Sequence, residues 1–107
     1  MNPQNMQKMM KQVQKMQEDM MRVQEALKQE TVEGQSGGVV KAVFNGHGEI
    51  QSITIDPEAI DGGDVEMLQD LILTAIKDGQ AKAQALAQER MSRVTGNFQL
   101  PGMPGLF

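Results

Sequence analysis

The sequence predicts an α+β fold: a long helix, a three-stranded antiparallel meander, a short helical turn and a second long helix. Three observations predict it. From Met6 to Leu27 the apolar residues fall at alternating gaps of three and four (Met6, Met9, Val13, Met16, Met20, Val23, Leu27). That is one seam closing every 3.5 residues, the a/d pattern of helices packed side by side. From Thr31 to Ile55 the pattern changes to β-branched residues punctuated by Gly34, Gly37-Gly38 and Asn45-Gly46-His47-Gly48, which reads as strands and turns. From Asp64 a helical spacing returns through Leu68, Ile72, Ala75, Ile76, Gly79, Ala83, Leu86 and Ala87.

Each element has local reasons. Asn2-Pro3 supplies an N-cap and a first-turn proline, so the first helix begins there and runs to about Glu30, roughly 40 Å at 1.5 Å per residue. Its other positions are mostly Gln, Lys and Glu, a solvated face. Thr31 to Ser36 reads as an edge strand with Gly37-Gly38 as its turn. Val39 to Asn45 is the second strand, its imperfect alternation predicting partial burial on both faces. Glu49 to Ile55 is the third, with a slip between Ile50 and Ile53 that marks a bulge. Asp56-Pro57-Glu58 caps and starts a helical turn over Pro57 to Ile60, and Gly62-Gly63 breaks it. Asp64 then caps the second long helix, with Glu66 in its first turn, small residues along the middle of its seam, and Gly96 as the residue that ends it after Thr95. Residues 1–95 form a single domain and residues 96–107 (GNFQLPGMPGLF) a Gly/Pro-rich apolar tail. The tail is a frayed terminus or a segment that docks on a partner.

Both helices exceed the roughly 23 Å of a seven-residue strand, so both overhang the sheet. The first runs toward the sheet and the second away from it, which brings the N-terminus of one and the C-terminus of the other to the same end. The formal net charge is −4, which by itself argues against nucleic acid, but the charges are segregated. Residues 1–17 carry Lys8, Lys11 and Lys15 and no acid, and residues 77–93 carry four basic residues against two acids. Residues 42–76 carry seven acids and no Lys or Arg. The expectation is an acidic body with basic tips formed by Lys8, Lys11, Lys15 and Arg22 with Lys82, Arg90 and Arg93. The overhanging seams of Met9, Val13, Met16 and Met20 and of Leu68, Ile72, Ile76 and Gly79 call for a partner, and a two-fold homodimer is the default.

Other chemistries find little support. No cysteine is present, so thiol nucleophiles, disulfides and thiolate metal sites are excluded; a reducing cytoplasm fits. His47 is the sole histidine and reads as a turn residue, so neither a metal nor a cofactor is expected. The glycine pairs lack a P-loop lysine or a Rossmann fingerprint. The spacing of Asp56, Asp61, Asp64 and Glu66 does not fit a calcium loop. No small-molecule substrate and no enzymatic role are expected. No 18-residue apolar run and no signal peptide are seen, so no membrane partner is expected. With three Phe and no Tyr or Trp, stacking platforms for single strands are missing. The six methionines from Met6 to Met21 are packing seam or, as Met adapts to many surfaces, a binding face.

Five stretches carry a resemblance: MKQVQKMQEDM (Met10–Met20), GGVVKAVFNGHGEI (Gly37–Ile50), SITIDPE (Ser52–Glu58), DVEMLQDLILTAIKDGQAK (Asp64–Lys82) and the LPGMPGLF ending. In this order they resemble the YbaB/EbfC family of nucleoid-associated proteins. The resemblance implies a small bacterial homodimer with a three-stranded body and projecting helices, likened to tweezers, that binds double-stranded DNA in the cytoplasmic nucleoid. It carries Lys11 over to DNA contact and makes Lys41 structural; the other basic residues named above come from the charge map. Gly79 departs from the alanine the family pattern has after Asp78, and it loosens the helix or permits a closer crossing. The expected function is backbone-directed binding of duplex DNA by the basic tips. The alternative is a cytoplasmic adaptor or holdase chaperone gripping apolar polypeptide with Met-rich arms.

Overall fold

Helix α1 spans Pro3–Gln29, strands β1, β2 and β3 span Thr31–Ser36, Val40–Asn45 and Ile50–Ile55, and helices α2 and α3 span Glu58–Asp61 and Val65–Asn97. The structure, a computed structural model, describes residues 3–97. The strands form one antiparallel sheet in the order β1-β2-β3, so the α+β meander between two long helices is as the sequence predicts. The turns follow from their residues. Gly37 and Gly38 both take positive φ, 58° and 71°, in the three-residue connection that the Val39 amide closes by donating to the Ser36 carbonyl at 3.1 Å; glycine takes up such φ without steric cost. Asn45 is buried and holds the β2–β3 turn from inside: its side-chain oxygen accepts the His47 and Glu49 amides, each at 3.0 Å, and its amide donates to Glu49.

The register decides which residues meet α3. Val32, Gly34 and Ser36 stand opposite Phe44, Ala42 and Val40, which in turn stand opposite Ile50, Ile53 and Ile55. This set lies on one face, and α3 lies across β1 and β2 on that side. Val40, Ala42, Phe44, Ala75 and Ala83 form the buried core, with Leu71, Ile72 and Ile76 packed around it. The bulge falls where the sequence slips. Val43 pairs with Ser52 and Phe44 with Ile50, leaving Gln51 as the extra residue. Residues three apart in a regular strand face opposite sides, so the bulge is what returns Ile50 to the face of Ile53. On the opposite face Lys41 is exposed, Val43 half-buried and Asn45 buried, so β2 is partly buried on both faces as its alternation predicts; Val39 belongs to the preceding turn.

Close backbone approach seats α3 on β1. A Cβ on Gly34 would run into the carbonyl of Ala75 and the backbone of Gly79, and one on Gly79 would strike the Phe44 ring. Asp78 and Lys82, one helical turn apart on α3, then cover the outer edge of β1. The Asp78 carboxylate accepts the Gln35 amide at 3.0 Å, and Lys82 donates to the Glu33 carbonyl at 2.9 Å and pairs with Asp78 at 3.0 Å. Groups that an edge strand normally offers to another chain are thus engaged.

Capping follows the sequence. The Asp56 carboxylate accepts the Glu58 amide at 2.9 Å and that of Asp64 accepts the Met67 amide at 3.0 Å. β2, β3 and α2 each begin one residue later than expected, and α3 continues through Gly96 to Asn97, so Gly96 does not end the helix at Thr95. Gly96 does not adopt positive φ, and the helical bonding simply continues through it. The rest of the tail lies outside the described residues.

Candidate nucleic-acid interface

The site is built on α1. Beyond the sheet, α3 runs antiparallel to the second half of α1: Gln24 reaches Met91, and Arg90 reaches Glu30 at 2.9 Å. The β2–β3 turn fastens the same end of α1. Gly46 donates to the Leu27 and Glu30 carbonyls at 2.8 and 3.0 Å, and the His47 ring lies 2.7 Å from the Gln24 carbonyl. Residues 3–15 are exposed throughout. Counting along the two helices from Gln24 and Met91, Asn97 lies level with about residue 18 of α1. The first four turns of α1 therefore stand clear of the rest of the chain, and the molecule measures 73 × 25 × 15 Å with a radius of gyration of 20.6 Å, against about 13 Å for a compact chain of this length.

At 100° per residue, Lys8, Lys11, Lys15 and Arg22 fall within about 60° of one another around the α1 axis. The seam of Met9, Val13, Met16 and Met20 is centred about 140° away by the same count. Whatever covers the seam leaves the lysines outward. Lys8, Lys11 and Lys15 have no ion pair among the described residues, and α1 has no acid in its first turn. The arm is a run of unneutralised positive charge, to which the helix N-terminus adds the positive end of its dipole.

The other basic residues have different surroundings. Arg22 pairs with Asp19 at 3.4 Å, Arg93 with Glu89 at 2.7 Å, and Lys41 with Glu33 at 3.8 Å. Arg90 lies between Glu30 at 2.9 Å and Glu89 at 3.7 Å, and the hydrogen bond to Glu30 raises its already high pKa. Lys82 is held by Asp78 and β1. The structure thus gathers Lys8, Lys11 and Lys15 on one arm and does not bring Lys82, Arg90 or Arg93 to it. The expected common tip is corrected on this point: α3 spends residues 71–83 on the sheet, so its basic stretch starts over the body. Both free ends point away from the sheet in the same direction, as predicted, but α1 extends well beyond the end of α3, so the two ends do not meet.

The predicted seams also divide. Ile72, Ile76 and Gly79 face the chain's own sheet, with Gly79 buried and the two isoleucines half-buried, and Leu68, one turn earlier, is half-buried; the small residues admit a strand rather than a second helix. Met16 and Met20 are half-buried, whereas Met9 and Val13 are 45% and 42% exposed. Sequence reasoning missed the β3 strip: Ile50 and Ile53 face the core side but remain 51% and 42% exposed because α3 does not reach them. It also took His47 only as a turn residue. The Gln24 carbonyl it meets comes from a helix 23 positions away, which no local pattern signals. No described helix is long and apolar enough to cross a membrane.

Comparison with known proteins agrees with this architecture. The model of a family described as the YbaB/EbfC DNA-binding family matches residues 1–98. A nucleoid-associated protein of Pelotomaculum thermopropionicum is 57% identical over 100 residues, covering 92% of this chain and 95% of that one. One from Chloroflexus aurantiacus is 51% identical over 104 residues, covering 96% and 99%. Among solved structures, an uncharacterized protein from Helicobacter pylori superimposes with a TM-score of 0.60 at 25% identity, covering 81% of this chain and 98% of that one.

Proposed function

The chain belongs to the YbaB/EbfC DNA-binding family, and from that premise we propose that it is a bacterial nucleoid-associated protein that holds duplex DNA by its phosphates. Lys8, Lys11 and Lys15 make the contacts, and a homodimer presents two such arms in tweezer fashion. The single observation that carries this reading is the unpaired lysine stripe on the free-standing part of α1, turned away from the apolar seam. Lysines on one helical face can reach phosphates while reading little sequence. The other four basic residues named from the charge map, Arg22, Lys82, Arg90 and Arg93, are already bound to carboxylates and serve the fold more than the ligand. Release of such pairs would offset much of what a phosphate contact gains. No catalytic step and no cofactor is part of the reading, and the site of action is the nucleoid in the cytoplasm.

The homodimer is supported by unfinished packing. Met6, Met9 and Val13 on α1 and Ile50 and Ile53 beside β3 are all exposed, and a second copy covers them without hiding the lysines. Two arms bring six lysines, so log K for duplex DNA falls against log salt with a slope of about −5. Gel shift of the Lys8→Glu, Lys11→Glu, Lys15→Glu variant against a short duplex tests the assignment, with light scattering to follow the dimer. Loss of binding with the dimer retained is expected; binding equal to that of the parent would sink it. Exposed Met10 and Met21 favour a second reading, an adaptor or holdase for apolar polypeptide. Suppression of a client's aggregation, in the absence of any salt-dependent gel shift, distinguishes it.

A further inference from the structure

An open apolar groove runs along the flank of α1, about 590 Å³ in volume, lined by Gln17, Met20, Met21, Gln24, Lys28 and His47 among others. Its floor includes Met21, 72% exposed, a position that neither the 3.5-residue seam nor the lysine stripe explains. The groove is separate from the lysines: by residue count it lies more than 120° around the helix from them. We infer that this groove is the docking site for the chain's own C-terminal segment, residues 98–107.

Three features of the chain select that occupant. The first is position. α3 ends at Asn97, six residues past Met91, and Met91 touches Gln24, a residue of the groove lining. The second is length. Ten residues reach at most about 33 Å when extended, while the groove from Gln17 to Lys28 covers roughly 17 Å of helix; the segment can round the side of α1 and still follow the groove. The third is composition. The segment FQLPGMPGLF has no charged residue and offers Phe98, Leu100, Met103, Leu106 and Phe107, so it gives up no ionic hydration on burial. Pro101 and Pro104 favour an extended backbone with few donors to satisfy, which suits an open channel lined by thioethers that adapt to aromatic and aliphatic shapes. The docked segment ties the end of α3 to α1 and braces the base of the arm. The inference does not depend on what the arm binds.

Because the chain has no cysteine, a Met21→Cys, Leu106→Cys variant gives a clean test. Mild oxidation of the full chain is expected to close a disulfide within one chain, seen as faster migration on a non-reducing gel. Separately, ¹³C-methyl methionine spectra of the unmodified chain and of the Leu106→Asp, Phe107→Asp variant are compared. The Met20 and Met21 methyl resonances are expected to shift while that of Met67, on α3 far from the groove, holds still. A covalent dimer on oxidation would hand the groove to a second copy and overturn the assignment. So would Met20 and Met21 resonances that ignore the tail substitutions.

Discussion

Gly34 and Gly79 show why composition at a single position settles the geometry of an entire face. Gly34→Ala drives a methyl into the backbone of α3, whereas Gly79→Ala meets first the side chain of Phe44, with the Gly34 backbone farther off at 3.3 Å. Overpacking costs about 1–3 kcal/mol, but alanine in a helix regains about 1 kcal/mol over glycine. Gly34→Ala is therefore expected to be the more harmful, lowering Tm by about 4–8 °C for each kcal/mol; thermal unfolding of both variants by circular dichroism checks the order. The sequence marks Gly79 as a departure from its family pattern, but the reason is an aromatic ring 35 positions earlier, beyond any local reading. Asp78 gives a pH prediction. The Gln35 amide, followed by Lys82, lowers its pKa below the ordinary value. The unfolded chain then takes up the proton first, so the stability from this contact is complete above about pH 4. It is lost as pH falls through the lower, folded value. Protection of the Gln35 amide from exchange, measured against its intrinsic rate at each pH, should fall over that acid range in the parent and should be lower than the parent's above that range in Asp78→Asn.

At the scale of elements, the charge map along the sequence and the charge map in space disagree for a physical reason. Spacing alone foretells the pairs Asp78–Lys82 and Glu89–Arg93, since residues four apart share a helix face. Arg90–Glu30 joins residues 60 positions apart and emerges only when α3 folds back beside α1. Hence the gathering of the α1 lysines on one face could be read from the sequence, and the tie from Arg90 of α3 to α1 could not. Two substitutions separate these roles. Lys11→Ala is expected to flatten the salt slope of DNA binding by about 1 for each subunit. Arg90→Ala is expected to leave the slope unchanged but to lower Tm, because Glu30 loses its partner. Gel shifts across a salt series, with melting curves on the same samples, would expose a reversal of these roles. The long helices themselves were legible because their periodicity and caps agree, and the Gln51 bulge was legible as a phase slip between isoleucines.

For the whole molecule, the elongated outline follows from a body too small to cover its helices. The chain leaves one side of its sheet core at Ile50 and Ile53 uncovered and half of α1 standing free. Ile53→Lys is expected to convert the proposed homodimer to a monomer in sedimentation velocity while preserving the helical circular dichroism spectrum; an unchanged sedimentation coefficient would locate the contact elsewhere. The fold class was readable because each segment's period, turns and caps point the same way. The location of the uncovered strip was not, since it depends on which strands α3 crosses. That crossing also distinguishes the two margins of the sheet. At the β1 margin the Gln35 amide and the Glu33 carbonyl are already taken by Asp78 and Lys82. A copy seeking to extend the sheet by strand addition is therefore met there by occupied groups, and the invitation is left to the β3 side.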